Sequence, residues 1–557
     1  MARRTQNLYT RNNRPTIVTS ALPYANGEIH LGHIASTYLP ADIFTRYCRL
    51  AGREIYHVCA SDDFGTPILI NSEKEEKTPQ SYVDFWHRRD LDDFESVGIS
   101  FDVFSNTSSR ENIEFVQDIF KKLFHNGHIY EQDVIQYYCT WDNKFLPDRY
   151  VVGQCPYCKA QNQYSDQCEK CGRVPEHILE PKCAICGRPP IQRSSKHYFF
   201  KLSAFSERLK KWLNENHKLQ RDVKNYVINW IDEGLHDWDI TRDLSWGVSI
   251  PLPNIQNKVL YGWFDNHLCY ISTLLTYMHK LGHDGKKVWN NSEIYHFIGK
   301  DISYHHYLFL PAMRMGINQE YKLPDFIPTR GHLLLNNQKL SKSRNWYISL
   351  KKIIDMFNPD YLRFYLASVT PYSQADINFE WATFCDKINN ELIANVGNFI
   401  NRTLSFIQTA FAGIVPEPLQ YDDDDRQSIM EIKKISNEVG DLLIENEVDK
   451  ALKRILKFTS HFNQYFQKKE PWKNTSSTAS TTIYIAVNAT KSLAIILEPF
   501  IPFSSEKIWS QLGSGGNIHE QSWSSASEIN IQPGQTIGKI ERLFLKIDPG
   551  FIKQHTE

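Results

Sequence analysis

A strand-like run from Thr16 to Thr19 passes through Ala21-Leu22-Pro23-Tyr24-Ala25-Asn26-Gly27-Glu28-Ile29-His30-Leu31-Gly32-His33 into a helical pattern at Ile34, Tyr38, Ile43 and Tyr47. Strand, loop and helix start in that order commit the first part of the chain to an α/β layer. They also set a helix N-terminus at the carboxyl end of a strand, where backbone N–H groups and the helix dipole attract an anion. Gly32 lets a ligand approach closely between His30 and His33, whose imidazoles can donate to phosphate oxygens. A second strand reads from Glu54 to Cys59 and leads to Asp62, within Ser61-Asp62-Asp63-Phe64-Gly65-Thr66-Pro67. From Arg14 to about Phe120 the alternation is that of the first half of a doubly wound parallel sheet, whose ligands sit beyond the strand carboxyl ends. The pattern resumes at about Trp246, and Val259-Leu260-Tyr261-Gly262-Trp263-Phe264 and Glu293 to Asp301 both read as strands. The absence of a Gly-x-Gly-x-x-Gly fingerprint disfavours a dinucleotide oxidoreductase.

Between about Ile129 and Leu235 the alternation is interrupted. Of eleven cysteines, seven fall between Cys139 and Cys186, mostly as C-x2-C pairs, which in a large intracellular-type chain argues for metal rather than disulfides. Cys155, Cys158, Cys168 and Cys171 form two tight knuckles that match tetrahedral, structural zinc closed to solvent. The pair Cys183 and Cys186 has no downstream partner pair, but Cys139 and Asp142 share its spacing upstream. An interleaved Cys139/Asp142/Cys183/Cys186 set would complete a second zinc site. Cys48, Cys59, Cys269 and Cys385 are scattered and read as core.

From about Trp381 the texture becomes helical: Ile388, Leu392, Val396, Phe399, Ile400, Leu404 and Ile407 recur at helical spacing, as do Ile432, Ile435, Val439, Leu442 and Leu443. Asp422 to Asp425 reads as a solvated linker and helix start. With 63 basic and 64 acidic side chains, any nucleic-acid binding must come from local patches. No run is read as apolar for long enough to span a bilayer, and the expectation is a cytoplasmic protein without membrane contact.

Lys339-Leu340-Ser341-Lys342-Ser343 supplies two lysines among small or hydroxylated residues, the make-up of a mobile pyrophosphate clamp. Alone, a His-x-x-His is usually surface or core and a Lys-x-x-Lys a solvated face. In this order, the two stretches resemble the signatures of class I aminoacyl-tRNA synthetases, and the wording from Ala21 to His33 in particular resembles the methionyl branch; the resemblance to that branch, of the archaeal kind, covers nearly the whole chain. That resemblance implies five parts: residues 1–128 and 236–330 as the halves of a nucleotide-binding catalytic domain, 129–235 as the zinc-knuckle insertion, 331–380 as the region carrying the lysine loop, and 381–557 as an all-α anticodon-binding-type domain. It implies ATP and magnesium as cofactors, with His30, Gly32, His33, Lys339, Ser341, Lys342 and Ser343 on the nucleotide. Leu22, Tyr24, Asp62, Trp263, Tyr270, Ile302 and His306 match the family's amino acid pocket, with Asp62 on the α-amino group, and Trp472 matches a position that stacks on an anticodon base. No further tRNA-binding or dimerisation domain is visible, which suggests a monomer.

The match departs from the family inside that pocket. Where the pattern after Trp-Phe-(Asp or Glu) runs Ala-Pro-Ile-Gly-Tyr, this chain has Asn266-His267-Leu268-Cys269-Tyr270; His305 stands where Phe is expected, and Phe64 where His is. A thioether offers almost nothing to a hydrogen-bond donor, so unpaired Asn266, His267 or His305 would cost about 1–3 kcal/mol each. Two enzymatic readings follow. One is methionine activation and transfer to tRNA. The other is a paralogue that activates a polar amino acid or glycine and transfers it to a small-molecule hydroxyl or hydroxylamine, as relatives do in natural-product pathways, for instance in N–N bond formation with an N-hydroxylated lysine. An inactive tRNA-binding protein is a third reading, disfavoured by the intact His30, His33, Lys339 and Lys342.

Overall fold

The strand β1 (Thr16–Ser20) is buried along its whole length, as the centre of a parallel sheet requires. It pairs on one edge with β2 (Ile55–Ser61), itself followed by β3 (Val103–Asn106), and on the other with β4 (Glu293–Gly299), followed by β5 (Thr329–Arg330). The order β5-β4-β1-β2-β3 is parallel throughout and reverses direction between β1 and β4, the place where a doubly wound sheet opens a crevice at its carboxyl ends. The computed structural model describes residues 14–548 and 550, except 166, 167, 169, 172, 174, 176, 341–345, 474 and 475.

After β1 the chain makes one helical turn, Leu31–His33, then a π-helical turn, Ile34–Tyr38, before α1 (Leu39–Leu50). The insertion is antiparallel: Ile129–Cys139 pairs with Ile191–Phe200, and a separate three-stranded sheet, Val151–Gln154 with Gln163–Tyr164 and Leu179–Cys183, carries the cysteine turns.

Two expectations are corrected. Only Val259–Leu260 of the stretch to Phe264 is strand; from Gly262 the chain is α2 (Gly262–Lys280). The aromatic residues that favour a strand are overridden by packing, because Phe264, Leu268 and Ile271 all bury against the sheet at helical spacing. The second concerns apolar length. Within α3 (Ser476–Leu497), Thr478–Leu497 is long and apolar enough to cross a membrane, and it is 94% buried as the central helix of the C-terminal bundle.

The helical periodicities elsewhere match the burial. Ile388, Leu392, Val396, Phe399, Ile400, Leu404 and Ile407 are fully buried, and Leu442 is the half-buried member of its series. Asp422 caps the helix Asp423–Ile444, with Asp425 returning the bond in a capping box. Asp425 itself is buried against Lys469 Nζ at 2.7 Å and the Tyr465 hydroxyl at 2.7 Å, so this acidic run is more than a solvated break.

Candidate active site

Helix α2 begins at the mouth of the crevice, and its 3.6-residue period turns Trp263, Asn266, His267 and Tyr270 toward one cavity of about 340 Å³. Ala21, Leu22 and Tyr24 line it from the end of β1, Asp62 and Phe64 from the end of β2, and Ile302 and His306 from the turn after β4. The π-helical turn His305–Phe309 sets His306 inward and His305 outward. His305 stacks on Trp263 with centroids 3.9 Å apart and planes 4° from parallel, and is not among the residues lining the cavity. Of the pocket residues named from sequence, it alone stands behind the wall.

Asp62 is fixed by backbone pairing: its N–H donates to the Pro23 carbonyl (2.8 Å), and the Ala25 N–H donates to the Asp62 carbonyl (2.9 Å). One carboxylate oxygen accepts from Asn266 Nδ2 at 3.2 Å. Burial raises the Asp62 carboxyl to about 7; the Asn266 bond opposes the rise and the Asp63 charge adds to it. Asp265, buried one helix position from Asn266, is raised well above the ordinary range by burial and then by the Asp62 charge. A cation is the natural complement of this end of the cavity.

The opposite side is built of neutral imidazoles. His306 Nδ1 donates to the Ile302 carbonyl (3.1 Å), which leaves Nε2 to accept from the Tyr270 hydroxyl (3.1 Å). Burial lowers His306 to about 4 and His305 to about 3. His267 is 2% exposed and pushed well below its ordinary value, by burial first and then by His306, His305, His296 and Arg314. Neither ring nitrogen of His267 has a hydrogen-bond partner among the described residues.

Arg149, Tyr261 and Gly65 are among the cavity residues that went unread in the sequence. Arg149 reaches the wall from the cysteine-rich insertion, where no local pattern marks it, and Tyr261 comes from the N-cap of α2. Gly65 has φ +128°, and a Cβ there would lie 2.7 Å from the Tyr24 hydroxyl, so only glycine closes this corner. A glycine directly after the Asp-Asp-Phe run was the available signal for it.

The two signature stretches meet. Leu31 N–H donates to the Ile348 carbonyl (3.3 Å) and Leu350 N–H to the Ile29 carbonyl (3.1 Å), so the segment after the lysine loop is stitched to the helix start. Leu340 covers Gly32 so closely that a Cβ on Gly32 would lie 2.8 Å from the leucine methyl. His30 and His33 stack with centroids 3.6 Å apart; His30 Nδ1 accepts from Gly32 N–H and His33 Nδ1 from His30 N–H, each at 3.2 Å. Lys339 ends a short exposed strand, and Ser341, Lys342 and Ser343 lie outside the described residues.

Cysteine donors gather in two groups. Cys155, Cys158, Cys168 and Cys171 form one, with Sγ separations of 3.8 Å (Cys155 to Cys171) and 3.5 Å (Cys158 to Cys168). Cys139, Asp142, Cys183 and Cys186 form the other: Asp142 Oδ2 is 3.0 Å from Cys139 Sγ and 3.1 Å from Cys183 Sγ. Four thiolates around a tetrahedral zinc at about 2.3 Å are about 3.8 Å apart, whereas a disulfide needs about 2.05 Å, so the donors fit a metal and not a bridge.

In the helical domain Trp472 is 45% exposed and backed by Phe466, with centroids 6.2 Å apart, while the Arg402 guanidinium lies 5.6 Å from its ring centre. Arg402 was not singled out from sequence. Its place on a helix face that gathers polar residues beside Asn398, four positions earlier, was the available signal.

The chain matches the family model described as tRNA synthetases class I (M) over residues 16–404, and that described as anticodon-binding domain of tRNA ligase over residues 425–547. It is 42% identical to the methionine–tRNA ligase of Pyrococcus furiosus over 552 residues, 95% of this chain and 75% of that ligase. Identity to the methionine–tRNA ligase of Methanopyrus kandleri is 42% over 522 residues, 92% of this chain and 77% of that one. Among solved structures, the methionyl-tRNA synthetase of Mycobacterium tuberculosis bound by methionyl-adenylate matches the fold with a TM-score of 0.79 at 22% identity, covering 96% of this chain and 100% of that one.

Proposed function

The chain belongs to the methionyl branch of the class I tRNA synthetases, and from that premise we propose that it activates an amino acid with ATP and passes the acyl group to tRNA. The observation that carries this reading is the meeting of the two signature stretches at the carboxyl ends of β1 and β4, beside a cavity with a buried carboxylate. The amino acid's α-ammonium pairs with Asp62, and its carboxylate attacks the α-phosphorus of ATP and expels pyrophosphate. His30 and His33 steady charge on the phosphates, and Lys339 and Lys342, with Ser341 and Ser343, close over the leaving group. No covalent help is needed, because positioning and charge stabilisation supply the rate. Magnesium entering with ATP would neutralise charge on the departing pyrophosphate, and His30, His33, Lys339 and Lys342 are the residues that would hold that nucleotide. Amino acid-dependent ATP–pyrophosphate exchange tests the reading, and its absence with every amino acid overturns it.

The acceptor follows from the helical domain. An exposed tryptophan flanked by a guanidinium is a stacking platform worth about 1–3 kcal/mol per base. Trp472→Ala should therefore weaken tRNA binding by about 5- to 150-fold in a salt-controlled filter assay and leave pyrophosphate exchange unchanged. Wild-type protein that fails to bind tRNA would instead favour the small hydroxyl or hydroxylamine acceptor.

Both cysteine groups would hold structural zinc, since neither leaves a ligand position open. Metal analysis of the purified chain should return two zinc ions, and Asp142→Ala one; a single zinc in the wild-type protein refutes the second site. Thiolate sites of this kind call for a reducing compartment, which supports a cytoplasmic enzyme.

A further inference from the structure

Among the described residues, the wall around His267 contains nothing that answers it. Its neighbours are the rings of Trp263, His305, His306 and Phe309, at centroid distances of 5.9, 5.3, 4.9 and 6.2 Å. Indole and phenyl offer it no acceptor here, both nitrogens of His306 are already engaged by Ile302 and Tyr270, and His305, whose Nδ1 is also unpaired among the described residues, makes no hydrogen bond to it. Beside it Asn266, 6% exposed, donates one amide hydrogen to Asp62 and leaves its carbonyl oxygen without a partner among the described residues. Buried imidazole nitrogens and amide oxygens are rarely left unpaired in native proteins. Both side chains line the cavity, so the molecule that fills it is the partner that remains.

We propose that the amino acid activated here carries a neutral hydrogen-bonding side chain, a hydroxyl or a carboxamide, seated against His267 and Asn266. The inference rests on the activation reading and deepens it by naming the substrate class.

The charge state follows from the surroundings. Behind the imidazoles lies Arg314, 1% exposed, with no carboxylate partner among the described residues; its guanidinium donates to the Lys322 carbonyl (2.7 Å) and meets His296 Nε2 at 3.3 Å. That cation and the burial keep His267 neutral, so the ring presents one donor and one acceptor. A hydroxyl or a carboxamide carries both a donor and an acceptor, so it pairs with the His267 nitrogen that faces the cavity and donates to the Asn266 carbonyl oxygen. An ammonium or guanidinium side chain would be repelled by Arg314. A carboxylate would lose its water facing a neutral ring, since Arg314, although its Nε has no partner among the described residues, does not line the cavity and cannot meet it directly. The sulfur of a thioether is a weak acceptor without a proton and leaves the ring donor unpaired. Sites built to hydrogen-bond a substrate discriminate against analogues lacking the group far more strongly than apolar slots do.

The test is pyrophosphate exchange by the full chain, without tRNA, over serine, threonine, homoserine, asparagine, glutamine, methionine, norleucine, glycine, aspartate and lysine. A neutral polar amino acid is expected to exceed methionine in kcat/KM by about tenfold or more. His267→Leu is then expected to lower the polar-to-methionine ratio by about tenfold or more. Both rates are read on one preparation, so a loss of folded protein cancels from the ratio. Preference for methionine, norleucine, glycine or a charged amino acid overturns the inference and leaves amino acid activation standing, as does a ratio that His267→Leu does not move. Exchange with none of them, nor with any other standard amino acid, refutes activation itself.

Discussion

Asp62→Asn should lower kcat/KM for the amino acid in pyrophosphate exchange by about 10²- to 10³-fold, the equivalent of about 3–4 kcal/mol lost from a buried charge pair. The variant keeps the shape of the side chain and its backbone pairing with Pro23 and Ala25, so the fold around it is preserved. What it removes is the negative charge that meets the α-ammonium in a site where water is excluded. The pH dependence separates this from a packing effect. In the free protein burial and Asp63 hold the Asp62 carboxyl near 7, so below that pH it carries a proton that the incoming ammonium must displace. KM for the amino acid should then fall about tenfold per pH unit as pH rises toward 7 and level off above it. Asp62→Asn should show a high, flat KM across the same range. A wild-type KM that does not change between pH 5.5 and 7.5 would refute the assigned role, whatever the variant's rate.

How far the site was legible depended on the kind of interaction. His30, Gly32 and His33 were readable because a strand, a tight loop and a helix start are local patterns, and their chemistry sits within four residues. The cysteine groups were readable because metal spacing is local too, and the interleaving of Cys139 and Asp142 with Cys183 and Cys186 needed only matched intervals. Trp263 to Tyr270 shows the limit. Its aromatic residues favour a strand, and only burial of Phe264, Leu268 and Ile271 against the sheet makes it a helix. With that change the spacing 263, 266, 267, 270 becomes one face, and Asn266 and His267 are presented together with Tyr270. His305 and His306 were indistinguishable in sequence; a π-helical turn sends one behind Trp263 and the other to the cavity wall. Arg149 comes from another domain, and tertiary folding alone brings it there.

Arg363→Ala should be the most destabilising single change among the residues that join the nucleotide-binding fold to the helical domain. Its guanidinium is fully buried and serves both sides: Nη2 meets Asp42 Oδ2 of α1 at 2.7 Å and the Pro499 carbonyl at 2.7 Å, while Nε and Nη1 donate to the Phe500 and Val97 carbonyls at 3.0 Å each. Removing it strands three buried carbonyl bonds and leaves Asp42 with Arg46 as its remaining ion-pair partner, which also reaches Glu498 of the helical domain at 2.6 Å. Truncating one partner of such a pair costs about 3–5 kcal/mol, mostly from the polar groups left behind. Because the chain has several domains, the loss should appear in calorimetry as a split transition in which the helical domain melts apart from the sheet, rather than as a uniform shift. Acid should act on the same joint. Burial alone would raise the Asp42 carboxyl, but Arg46 and Arg363 outweigh it and hold the group below its ordinary value. The stability it contributes is therefore present above the unfolded carboxyl pKa and lost as pH falls through the lowered folded one. Arg363→Ala removes part of that depression, so the variant should lose the joint at a higher pH than the wild-type chain. A variant that melts in one transition within about 1 °C of wild type would show that Arg46 and Glu498 carry the joint without it.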